Sequence, residues 1–93
     1  MPRYKLTLEY DGTPFVGWQW QDNGVSVQGV LEEAVVRFSG ERAKITAAGR
    51  TDAGVHALGQ VAHVDLAKTW PVERVREALN FHVQPHPVSV RAA

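Results

Sequence analysis

Ser26–Gly40 reads SVQGVLEEAVVRFSG. Ser26 is a strong candidate N-cap, because its hydroxyl can accept an otherwise unpaired N–H of the first helical turn. Val27, Val30, Leu31, Ala34, Val35 and Phe38 recur at three- and four-residue intervals and form one apolar stripe. Gly40 then supplies the left-handed stop. The stretch predicts one amphipathic helix that needs a sheet to cover its stripe. Working outward, Arg3–Tyr10 alternates: Tyr4, Leu6, Leu8 and Tyr10 face one way, and Lys5, Thr7 and Glu9 the other. That is a half-buried strand, closed by the turn residues Asp11-Gly12-Thr13-Pro14. A loop carrying Phe15, Trp18 and Trp20 leads into the helix. On the far side, Lys44–Ala48 predicts a second strand, Gly49–Gly59 a loop and Gln60–Leu66 a third strand. Thr69 or Trp70 is expected to cap a second helix, with Pro71 in its first turn and Val72, Val75 and Leu79 on its inner face. Pro85 and Pro87 break the chain before a fourth strand, Val88–Ala92.

The predicted order is β-α-β-β-α-β, the split βαβ of ferredoxin-like α+β folds. It implies one antiparallel sheet with two helices on one face and the other face open to a partner. The 93 residues make one domain, 1–93, with 44% hydrophobic content to fill its core. The chain stops at Ala93, just past the fourth strand, and is read as a segment of something longer.

Ten basic residues balance ten acidic ones, which argues against a free-standing nucleic-acid binder. There is no cysteine, hence neither a disulfide framework nor a thiolate metal site. No apolar run reaches membrane length and no signal-peptide pattern opens the chain. A soluble cytoplasmic protein is the expectation.

The segment Ala48-Gly49-Arg50-Thr51-Asp52-Ala53-Gly54-Val55-His56-Ala57 is too long for a simple hairpin turn. Its glycines let a ligand approach the backbone. Asp52 can serve as a base, a ligand or a nucleophile, and Arg50 offers a planar cation for phosphate or base stacking. Spacing alone favours a plainer reading, an Arg50–Asp52 ion pair that pins the loop.

Gly49-Arg50-Thr51-Asp52-Ala53-Gly54-Val55-His56 resembles the signature of the TruA family of tRNA pseudouridine synthases. Tyr10-Asp11-Gly12-Thr13, Gly17-Trp18-Gln19, Ser26-Val27-Gln28, Gly59-Gln60-Val61-Ala62-His63 and Leu79-Asn80 are similar to further segments of that family. The resemblance implies an N-terminal ferredoxin-like half-domain. It implies isomerisation of uridine to pseudouridine in the tRNA anticodon stem-loop, at tRNA positions 38, 39 and 40. Asp52 matches the family's catalytic aspartate, and Arg50 the arginine that helps take the base out of its stack. Thr51 and His56, in the same motif, complete the candidate substrate-binding loop. Asp52 would attack C1′ of the ribose, attack the base, or abstract a sugar proton; all three remain open. The resemblance implies no metal and no cofactor. It also implies a homodimer, and a C-terminal half that completes the cleft and supplies a tyrosine and basic residues. Two positions depart from the pattern: Trp20 stands where a basic residue is common, and His86 where an acidic one is.

Lys68, just past the third strand, is a further candidate RNA contact. Trp18 is expected to pack beneath its loop, Trp70 to pack at its helix start, and His63 to line the open sheet face. Glu32 and Glu33 are read as the wet face of the first helix. Val27-Gln28-Gly29-Val30 also resembles an acylphosphatase phosphate loop, but Glu32 and Glu33 behind it would repel an anion. An RNA-recognition module needs exposed aromatics on its middle strands, and Val61-Ala62-His63-Val64-Asp65 has none. A bare assembly domain that buries its open face against a second copy stays in contention.

Overall fold

The computed structural model describes residues 2–12, 14–18, 24–47 and 57–92. The elements run β1 (Arg3–Tyr10), α1 (Val27–Ser39), β2 (Thr46–Ala47), β3 (Ala57–Asp65), α2 (Val72–His82) and β4 (Val88–Ala92). The sheet order is β2-β3-β1-β4, and each described neighbouring pair is antiparallel. This is the ferredoxin-like arrangement expected from the element order.

The alternation in β1 sets the layers. Tyr4, Leu6, Leu8 and Tyr10 are buried, together with Ala62 and Val64 of β3 and Val88 and Val90 of β4. They meet Val27, Leu31, Ala34 and Val35 of α1 and Val75 and Leu79 of α2 in one cluster. Helix α1 starts as its cap predicts: Ser26 Oγ accepts the Gly29 N–H at 3.0 Å. It ends at Gly40, φ 76°, whose N–H donates to Val36 O at 2.8 Å.

Helix α2 departs from expectation. Pro71 occupies the N-cap position and no side chain caps the helix there. Neither Thr69 nor Trp70 does so, because the Trp70 backbone is taken by Tyr4. The Tyr4 hydroxyl accepts the Trp70 N–H at 2.6 Å and donates to Trp70 O at 3.0 Å. The Trp70 ring packs on Phe38, centroids 4.6 Å apart, as the packing reading required. Val72 is 51% exposed, so the inner face of α2 is Val75 and Leu79, continued by the buried C-cap Val83.

The open face carries Arg3, Lys5, Thr7 and Glu9 of β1 and Val61, His63 and Asp65 of β3. Arg3 and Asp65 are cross-strand partners joined by two hydrogen bonds of 2.8 and 3.1 Å. The Arg3 hydrogen bonds, reinforced by its charge, hold the Asp65 carboxyl below its usual range. A lowered folded-state pKa means that the folded chain binds this proton less readily than the unfolded chain. The pair's contribution is therefore complete above the unfolded carboxylate pKa and disappears as pH falls through the lowered folded value. Asp65→Asn is expected to reduce the thermal midpoint slightly at neutral pH. The gap should narrow with added salt and close in acid, since the pair is exposed. Thermal unfolding followed by circular dichroism across pH and salt checks this.

Candidate active site

The candidate segment, residues 48–56, lies between two paired stretches of the sheet. Before it, Thr46 and Ala47 of β2 pair with His63 and Ala62 of β3. After it, Ala57 of β3 opposes Tyr10 of β1. Arg50, Thr51, Asp52 and His56, on residues 48–56, lie outside the described residues, as do Gln19 and Trp20.

Around the second of these stretches, several segments singled out in the sequence converge. Tyr10 pairs with Ala57 on one side and Val88 on the other. The Asp11 N–H donates to Pro87 O at 3.1 Å. Phe15 sets its ring edge-on to Tyr10 at 6.1 Å and lies 6.4 Å from His86. The Val27 and Gln28 N–H groups donate to Gly17 O and Trp18 O at 3.2 and 2.9 Å, which fastens the Trp18 segment to the start of α1. Trp18 is only 3% exposed and serves as packing, not as a platform for a base.

The pairing of Ala57 depends on an irregularity. Leu8 opposes Gln60, but Glu9 opposes Leu58, so Gly59 is the extra residue of a β-bulge. Its φ of 108° is one that side-chain-bearing residues seldom adopt. The third strand was expected to begin at Gln60, after this glycine. It begins three residues earlier because the bulge absorbs Gly59 without ending the pairing.

The stretch at Ala47 is held differently. The second strand was expected over Lys44–Ala48, but the described pairing covers Thr46 and Ala47 alone. Ile45, just before it, has both backbone groups bound by α1 side chains. Its N–H donates to Glu32 Oε2 at 3.0 Å, and its carbonyl accepts from Gln28 Nε2 at 3.3 Å. Gln28 Nε2 also donates to Glu32 Oε2 at 3.0 Å, closing a ring of hydrogen bonds. Glu32 is therefore not simply part of the wet face, as the sequence suggested; its carboxylate accepts the Ile45 N–H and the Gln28 amide. Glu33 does face solvent and pairs with Arg37 at 2.8 Å. An equivalent device holds the other sheet edge. The Asn80 amide donates to Val90 O at 3.0 Å and accepts the Val90 N–H at 2.7 Å. The signal for these amides was their place in Ser26-Val27-Gln28 and Leu79-Asn80, two of the segments that carry the family resemblance.

Lys68 is exposed and lies past the C-terminal end of β3, away from the end that follows residues 48–56. His63 sits on the open face opposite Lys5. Among the described residues no cluster of three or more His, Asp or Glu could hold a metal ion. No described helix is long and apolar enough to cross a membrane.

A family model described as tRNA pseudouridine synthase matches residues 7–93, from the middle of β1 through β4. The chain belongs to the tRNA pseudouridine synthase family. The tRNA pseudouridine synthase A of Afipia carboxidovorans is 63% identical over 93 residues, which is 100% of this chain and 38% of the relative. Those of Methylobacterium radiotolerans and Paramagnetospirillum magneticum are 62% and 63% identical over 93 residues, covering 37% and 36% of the relatives. The chain thus spans little more than a third of the length of these synthases. The matched residues 7–93 include this chain's Gly59 bulge and the Gln28 and Asn80 side chains that hold the two sheet edges.

Proposed function

We propose that this chain is the N-terminal ferredoxin-like half of an enzyme that isomerises uridine to pseudouridine in the tRNA anticodon stem-loop, at positions 38, 39 and 40, with Asp52 as its nucleophile. The observation that carries the reading is the family match over residues 7–93, which encloses the Gly49–His56 segment. The isomerisation breaks the C1′–N1 bond, turns the uracil and joins C1′ to C5; C5 gives up its proton and N1 takes one up, so the atoms balance. It needs neither redox change nor an external group, so a carboxylate suffices to start it. Arg50 fits the place vacated by the extruded base and offsets part of an unstacking cost of a few kcal/mol. Thr51, His56 and Lys68 are the further substrate contacts in this reading. The remainder of the protein supplies the opposite wall of the cleft and the basic surface that a neutral half lacks. The whole enzyme works as a homodimer.

The test joins this segment to the remainder of the Afipia carboxidovorans relative. The chimera is incubated with an unmodified tRNA carrying anticodon-stem uridines. Pseudouridine at positions 38 to 40 from the chimera, and none from the 93-residue chain alone, is the expected result. Modification confined to other positions overturns the substrate assignment, and no pseudouridine from the chimera overturns the reading as a whole.

A further inference from the structure

We propose that Gln28 and Glu32 are positioning residues that set the Asp52 loop for catalysis through Ile45. The inference rests on the synthase reading above. Among the described residues β2 is the edge strand Thr46–Ala47, paired with β3 on its inner side. What holds it on the outer side is the ring of Gln28 Nε2, Glu32 Oε2 and the two Ile45 backbone groups, at 3.0, 3.0 and 3.3 Å. Gln28 is buried, and the two side chains are one helical turn apart on α1, so both project to the same place. The Gln28 backbone is in turn fixed to Trp18 O at 2.9 Å, and the Ser26 cap fixes the turn around it. A continuous chain of hydrogen bonds therefore runs from the Trp18 segment through α1 to Ile45. Two places beyond Ile45, Ala47 is the last described residue before the segment that carries Asp52. Reacting groups tolerate misplacement badly: about 1 Å can cost about 100-fold in rate.

The two donors that converge on Glu32 Oε2 explain why the ring uses a carboxylate. A carboxylate oxygen accepts two N–H groups at once and binds them more strongly than a neutral acceptor does. The Gln28 amide donates to the Ile45 carbonyl beside β2, the edge strand among the described residues, and so pairs a backbone acceptor there.

Single-turnover pseudouridine formation and tRNA affinity are to be measured on the chimera well below its thermal midpoint. Gln28→Met keeps the side-chain length and removes the donors, while Glu32→Ala removes the acceptor. Each is expected to lower the single-turnover rate about 10- to 100-fold with tRNA affinity within about threefold. Glu32→Gln keeps an acceptor oxygen and should restore the rate to within about threefold of the parent. Glu41→Ala is the control: Glu41 accepts the Ala67 N–H at 2.8 Å, a like staple past the opposite end of β3. It should leave the rate unchanged. Gln28→Met preserves volume and decides the matter if Glu32→Ala does not fold. An unchanged rate in a folded Gln28→Met chimera overturns the proposal, as does an equal loss in Glu41→Ala or an affinity loss that accounts for the whole effect. An inactive parent chimera would instead overturn the synthase reading on which the proposal stands.

Discussion

Replacing Asp52 by Ala in the chimera is expected to reduce pseudouridine formation by at least about 1,000-fold while tRNA affinity changes by less than about threefold. A group that acts on the reacting atoms lowers the rate of the chemical step without taking part in uniform binding. The affinity of a nucleic acid rests chiefly on phosphate contacts, to which a carboxylate contributes nothing favourable. Asp52→Asn sharpens the test. Asn has the same shape and can still hydrogen-bond to an arginine, but it is a poor nucleophile and a poor base. If Asp52 only pinned the loop through Arg50, Asn would recover much of the rate. If Asp52 starts the reaction, Asn should be as inactive as Ala. Single-turnover assays of the parent and both variants, with tRNA binding measured in parallel, separate the two. Near-parent activity in Asp52→Asn would return the loop to the ion-pair reading that spacing alone favours.

The fold was legible where local chemistry and burial agree. The alternation of β1, the Ser26 cap, the Gly40 stop and the β4 segment each place an element to the residue, because each is a local signal that the tertiary structure does not contest. The errors fall where side chains reach across the sheet. Residues 44 and 45 read as strand because Lys44–Ala48 has a strand's composition, yet Ile45 spends its backbone groups on Gln28 and Glu32. Tyr4, read as a core residue, also occupies the Trp70 backbone and leaves α2 to begin at a proline without a side-chain cap. Glu32 looked like solvent-facing charge because helical periodicity reports which face is apolar, not which polar group finds a backbone partner 13 residues on. The candidate loop stood out by its length and its glycines, but its chemistry was assigned by resemblance, since an Arg and an Asp two positions apart fit many surfaces.

Gly59→Val is expected to destabilise the fold by roughly 1–3 kcal/mol and, in the chimera, to lower pseudouridine formation about 10- to 100-fold. The cost is in the backbone. A Cβ built at Gly59 meets nothing within 4 Å, so no clash with a neighbour is involved. The strain comes from φ 108°, which a β-branched residue resists strongly. The chain can relieve it by removing the bulge, but then Glu9 would oppose residue 59 and Tyr10 would oppose Leu58 in place of Ala57. A one-residue slip reverses the faces of everything beyond it. It would also move Ala57 relative to Ala47, which the Gln28–Glu32 ring holds in place. The two paired stretches that flank residues 48–56 are thus fixed by independent devices, a bulge on β3 and a side-chain ring on β2. Gly59→Ala carries the same conformational conflict with less crowding and should fall between the parent and Gly59→Val in both measurements. Chemical denaturation reports the stability loss, and single-turnover kinetics in conditions where each variant is folded report the rate. A Gly59→Val chimera with full activity and parental stability would show that the bulge neither needs glycine nor places the loop.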